Sequence, residues 1–128
     1  MPSSRAARWI LAAGGALLSA ATVLGALGAH ALNARLSADQ LHVFETAVRY
    51  HFFHALGLLA IGLAARGTDS KLLRAAAGLV ATGIVLFSGS LYALCFGAPR
   101  AIGWVTPVGG VMLIVGWLVF AAGALRAA

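Results

Sequence analysis

The residues that could do acid–base or ligand chemistry cluster in and just before the second of four apolar stretches of this 128-residue chain. Glu45 and Arg49 stand four residues apart with the acid first, the order that favours an ion pair on one helical face. His42 falls one turn earlier on the same side. We therefore predict an ion pair between Glu45 and Arg49 that fixes the start of this helix.

His54 presents a different problem. Nine residues separate it from Glu45, which puts the two on opposite faces of a straight helix, so they cannot form a catalytic dyad. Tyr50 shares the face of His54. We expect His54 to be a buried histidine bonded to another helix, with a ligand or proton-relay role as the alternative. Its candidate partners are His30, Ser88, Ser90, Tyr92 and Thr106.

The chain has no recognisable catalytic or metal-binding motif. Cys95 is its single cysteine, and His51 and His54 are three apart with no further ligand at metal-site spacing. Phosphate-binding loops and nucleophile elbows are also missing from the sequence. The net charge of +6 does not indicate nucleic acid, because the basic residues fall at the ends of apolar stretches. We expect no catalytic residue, metal or cofactor.

Composition defines the elements that must position these residues. Hydrophobic residues make up 62% of the chain and charged residues 9%, which excludes a soluble or a disordered protein. Crossing a bilayer takes about 20 apolar residues. Three charge-free stretches are long enough, and the second, 50–65, becomes so if its helix starts at a capping box formed by Ser37 and Gln40. The predicted helices cover 8–32, 37–65, 72–96 and 101–125.

These helices predict an all-α, integral membrane four-helix bundle that forms one domain, 1–128. The excess of Lys and Arg on one side places both termini in the cytoplasm, with Arg35, Arg49 and Arg100 outside. A cleaved signal peptide is the alternative for the first helix, with 29–31 as the cleavage site. The first apolar stretch is longer than the usual signal, so we expect the helix to be retained.

Small residues recur every seven positions, a spacing that suits left-handed helix packing in lipid. Such rows are 14, 21 and 28 in the first helix and 109, 116 and 123 in the fourth, and 78, 82 and 89 lie on a similar face of the third. We predict that they form packing seams, within the chain or between copies, and that Pro107 kinks the fourth helix. The packing candidates are Gly14, Gly25, Gly28, Gly78, Gly89, Gly109, Gly116 and Gly123.

Four segments together resemble the domain of unknown function 423 family, whose eukaryotic relatives are called transmembrane protein 256. They are 25–30 (GALGAH), 44–50 (FETAVRY) with 54–56 (HAL), 86–92 (LFSGSLY), and 106–110 (TPVGG) with 116–117 (GW). The resemblance implies a four-helix protein of the bacterial cytoplasmic (inner) membrane without an established activity, substrate or cofactor. It also implies that glutamine is more usual at position 51, which argues against His51 as a ligand.

Three functions stay open at this point. The favoured one is a non-enzymatic packing or accessory protein in the lipid bilayer, either a homo-oligomer or a subunit of a larger membrane complex. The second is a channel or permease lined by polar side chains, and the third is a binder of lipid, quinone or haem. The candidate functional residues are His30, Glu45, Arg49, Tyr50, His54, Ser88, Ser90, Tyr92 and Thr106.

Overall fold

The structure, a computed structural model, describes residues 4–126. Within them the chain forms four long helices and no strand: α1 (Arg5–His30), α2 (Ala38–Ala64), α3 (Lys71–Cys95) and α4 (Val105–Arg126). Each helix, with the short turns that flank it, is long and apolar enough to cross a membrane. The predicted all-α membrane fold is therefore confirmed.

Serine side chains start three of the helices. Ser4 and Ser70 accept hydrogen bonds from backbone amides in the first turns of α1 and α3. At α2 the predicted capping box is present, because Ser37 and Gln40 each bond the other's backbone amide. This box extends α2 to 27 residues, about 40 Å, so its first turns reach the membrane surface.

The connection from α3 to α4 differs from expectation. Gly97, with φ of 92°, reverses the chain after α3, and the amide of Ala98 bonds the carbonyl of Ala93. A 3₁₀ turn at Arg100–Trp104 follows, and α4 begins at Val105. Pro107 therefore lies in the first turn of α4, where its missing amide removes no helical hydrogen bond. The predicted kink inside this helix is wrong.

A seam of small residues joins α1 to α2. Its buried positions on α1 recur every seven residues: Ala7, Gly14, Ala21 and Gly28. A Cβ atom added at position 14 would lie 2.8 Å from the Leu59 side chain, and one at position 28 would lie 2.8 Å from the Phe44 ring. Gly25 borders the same seam, 3.4 Å from Val48 by the same measure. The two backbones thus approach too closely for larger side chains.

A second seam joins α4 to α3. The seam on α4 consists of three glycines spaced seven residues apart, Gly109, Gly116 and Gly123. They face three residues of α3 that are also seven apart, in the opposite chain direction: Phe87, Val80 and Leu73. This regular match is what two antiparallel helices with the same seven-residue repeat should give.

The glycines of α3 occupy other positions than expected. A Cβ atom at Gly78 or Gly89 would meet no atom within 4 Å, so these two residues lie outside the seams. Gly83 faces α4 instead, where an added Cβ atom would lie 2.7 Å from Leu113. The glycine of α3 that packs on α4 is therefore Gly83, which lies on a different face of the helix from the predicted Gly78 and Gly89.

The helices pack mainly in chain order, α1 on α2, α2 on α3 and α3 on α4. Leu58, Ile61, Val80, Ile84 and Leu113 form the apolar core between them. This order leaves a groove between α1 and α2 at one end and another between α2 and α4.

Candidate functional site

Polar side chains inside the protein gather at one end, formed by the last turns of α1 and α3 and the first half of α2. We call it the outer end. Here Nδ1 of His51 and the hydroxyl of Tyr92 are 2.9 Å apart and join α2 to α3 by a hydrogen bond. His51 is only 4% exposed. Side chains lean toward the start of their own helix, so these two, on antiparallel helices, lean toward each other.

The other ring nitrogen of His51 has no partner. No atom within residues 4–126 meets hydrogen-bond geometry with the buried Nε2, although the backbone carbonyl of Leu17 on α1 faces the ring. With Nδ1 protonated, Nε2 is a buried acceptor without a donor; with Nε2 protonated, its N–H faces the Leu17 carbonyl outside good hydrogen-bond geometry. A buried polar atom without a hydrogen bond lowers the free energy of unfolding by about 1–3 kcal/mol. His51 therefore has the least complete hydrogen bonding of the buried polar residues that the structure describes.

Three more hydrogen bonds join helices at the outer end. The Ser88 hydroxyl donates to the carbonyl of Ala47 at 2.8 Å, and the Cys95 thiol donates to the carbonyl of Gln40 at 3.4 Å. The hydroxyls of Ser90 and Thr106 are 2.5 Å apart and join α3 to α4. Ser88, Ser90, Tyr92 and Thr106 thus bond neighbouring helices.

His54 does not bond another helix as expected. Its Nδ1 donates to the carbonyl of Tyr50 in its own helix at 2.7 Å, and the two rings stack. Both residues line a cavity of about 310 Å³ between α2 and α4, closed by Phe87 and Trp117. The histidine that bonds another helix is His51.

The predicted ion pair between Glu45 and Arg49 is not formed. In the part of the chain that the structure describes, the ion pair present joins Asp69 and Arg74 at the opposite end. Glu45 and Arg49 are both exposed and both line a cavity of about 220 Å³ between α1 and α2. The acid and the base therefore face one groove without contacting each other.

His30 lies at the end of α1, exposed, with its Nδ1 donating to the carbonyl of Ala26 at 2.9 Å. It is not brought together with His54, which faces Trp117 on α4. Across residues 4–126, no group of three His, Cys, Asp or Glu side chains could hold a metal ion.

The residue that sequence reasoning missed is His51. It belongs to a row of buried residues on α2 with spacings of three or four: Phe44, Ala47, His51, Ala55 and Leu58. The sequence does not separate this row from the rest of α2, because exposed positions such as Phe53 and Leu56 are equally apolar.

Comparison with known proteins gives consistent results. The family model described as "Protein of unknown function (DUF423)" matches residues 24–110. The chain is 47% identical to a UPF0382 membrane protein of Staphylococcus saprophyticus, over 91% of this chain and 95% of the relative. It is 42% identical to the UPF0382 membrane protein YwdK of Bacillus subtilis, over 91% and 94%. It is 39% identical to the UPF0382 inner membrane protein YgdD of Escherichia coli, over 80% and 79%. No solved structure matches the chain.

Proposed function

Since this chain belongs to the DUF423 family of small multi-pass membrane proteins, which have no named catalytic function, we propose that it is a helix-packing protein that assembles laterally in the membrane. Its partner is a second copy of itself or a subunit of a larger membrane complex.

The outward face of α1 carries this proposal. It lies opposite the seam with α2 and consists of positions spaced alternately by four and three, all exposed: Ala12, Ala16, Ser19, Val23 and Ala26. Four of these five residues are small. Lipid tails are as apolar as leucine, so helices associate in a bilayer where small side chains let their backbones come close. This face has the spacing and the side-chain size of a helix-packing surface.

The outward faces of α2 and α4 are bulkier. Phe53 and Leu63 on α2 and Ile114 and Leu118 on α4 are all more than half exposed. Large apolar side chains of this kind suit contact with lipid and hold a neighbouring backbone away. We therefore place the assembly surface on α1 and not on α2 or α4.

Cysteine cross-linking in native membranes tests the proposal. Single cysteines at positions 12, 16, 19 and 26, in a Cys95→Ser background, should form disulfide-linked dimers on mild oxidation if the partner is a second copy. Leu118→Cys, on the bulky face of α4, is the matched control. An adduct of another size on the α1 cysteines would indicate a different partner subunit.

Two results would contradict the proposal. One is that no α1 cysteine yields an adduct with any protein, and the other is that Leu118→Cys cross-links as strongly as the α1 series.

A further inference from the structure

The groove between α1 and α2 at the outer end carries an acidic and a basic side chain on its α2 wall. Glu45 and Arg49 line it from α2, and Gly25, Gly28 and Ala29 line it from α1. The small residues of α1 leave the space open, and the cavity measures about 220 Å³. At about 30 Å³ per water molecule, the cavity has room for about seven water molecules. It fits a small polar group rather than an entire lipid or a haem.

The depth of the groove matches the edge of the hydrocarbon layer. Counting about 20 residues, or about 30 Å, back from Ala65 along α2 puts that edge near residue 46. Glu45 then lies at the edge. Arg49 lies one turn deeper, with its long side chain leaning back toward the surface because helical side chains lean toward the start of the helix. Both charges therefore reach the headgroup layer, with Arg49 attached one turn deeper than Glu45.

Neither Glu45 nor Arg49 has an ion-pair partner among residues 4–126. A charged side chain at membrane depth is costly unless it is paired or reaches water. Glu45 and Arg49 stand at a spacing that permits an ion pair, yet no ion pair joins them, and both face the groove. A ligand that carries a negative and a positive charge about one helical turn apart would pair with both.

We propose that this groove binds the headgroup of phosphatidylethanolamine, with the lipid phosphate on Arg49 and the lipid ammonium on Glu45. The order of the charges supports the assignment. In a phospholipid the phosphate adjoins the glycerol and the amine lies farther out, and Arg49 is the deeper of the two residues. The guanidinium can donate two hydrogen bonds to the phosphate, and the carboxylate can accept one from the ammonium. The acyl chains lie along the outside of α1 and α2.

Lipid selectivity measured by native mass spectrometry of the full chain tests the site. The probes are dioleoyl phosphatidylethanolamine and dioleoyl phosphatidylglycerol, which share the phosphate but differ in the amine. The wild-type protein should bind phosphatidylethanolamine about tenfold more tightly, the lower end of what one charge-assisted hydrogen bond contributes. Glu45→Gln should abolish this preference, because an amide neither attracts the amine as strongly nor repels an anionic lipid.

Two further variants separate the headgroup site from a structural role. Exchanging the charges, with Glu45→Arg and Arg49→Glu together, keeps one acid and one base in the groove but reverses their order, so it should abolish the preference. Arg35→Gln removes a basic residue of the α1–α2 connection that does not line the groove, and it should leave the preference unchanged. Helix content measured by circular dichroism verifies folding of each variant.

The proposal is overturned if the wild-type protein binds both lipids equally, or if Glu45→Gln or the exchanged variant retains the wild-type preference. Arg49→Gln should weaken the binding of both lipids. If that variant does not fold, the result for Glu45→Gln still decides.

Discussion

At the scale of single residues, the bond between His51 and Tyr92 gives the clearest test of the interior. Interhelical hydrogen bonds in membrane proteins average about 0.6 kcal/mol and reach about 1.7 kcal/mol. We expect Tyr92→Phe to lower the free energy of unfolding by about this amount in the wild-type protein. In a His51→Leu background the same change should have almost no effect, because the partner is already gone.

A double-mutant cycle in lipid micelles, unfolded with a denaturing detergent, measures the coupling between the two residues. Additive effects of the two substitutions would show that the hydrogen bond contributes nothing. His51→Gln serves as the matched control, since an amide can still bond the Tyr92 hydroxyl and should preserve the coupling.

The sequence predicted a buried histidine bonded to a side chain of another helix, with Tyr92 among the candidate partners, but it indicated the wrong histidine. His51 and His54 are three residues apart, so they differ by only about 60° around the helix. Periodicity alone could not tell which of them faces α3. The pairing of Glu45 with Arg49 failed for another reason: the spacing permits an ion pair, but an exposed pair contributes too little to enforce one.

At the scale of helices, the seam between α3 and α4 predicts opposite effects for two glycine substitutions. A Cβ atom at Gly109 would overlap the backbone of Phe87, and a backbone cannot move aside as a flexible side chain can. We expect Gly109→Ala to lower the free energy of unfolding by about 1–3 kcal/mol. Gly89→Ala adds the same methyl group in open space and should be neutral or stabilising by up to about 1 kcal/mol.

The same detergent unfolding measurement compares the two variants. If Gly109→Ala proved as stable as Gly89→Ala, the close approach of α3 and α4 would be incorrect.

The sequence predicted well where each helix lies along the chain, but it predicted less well which face of a helix packs against its neighbour. The capping box at Ser37 and Gln40 fixed the start of α2 because its hydrogen bonds are local. The row at 109, 116 and 123 repeats regularly on α4, which has one such row. On α3 two rows of small residues compete, and only contact with α4 decides that Gly83 packs while Gly78 does not. That information is tertiary, so no local pattern contains it.

At the scale of the whole molecule, four crossings place both ends of the described chain on one side of the membrane. Trp9 and Trp104 are 69% and 81% exposed near opposite ends of the protein, where tryptophan commonly marks the two membrane interfaces. The two tryptophans therefore indicate where the protein sits in the bilayer, but they do not indicate which end faces the cytoplasm. The direction rests on the distribution of Lys and Arg, which predicts that the α2–α3 connection is cytoplasmic.

Thiol accessibility in intact cells tests this orientation. Cys95 is a poor reporter because it is 5% exposed and bonded to the carbonyl of Gln40. In a Cys95→Ser background we expect a membrane-impermeant maleimide to label Ala101→Cys, in the exposed turn before α4, without permeabilisation. Gly67→Cys, in open space between α2 and α3, should react only after the membrane is permeabilised. The reverse pattern would invert the protein in the bilayer and move the groove at Glu45 and Arg49 to the cytoplasmic leaflet. The same charge order would still face the headgroups there, so the lipid preference and the orientation can be tested independently.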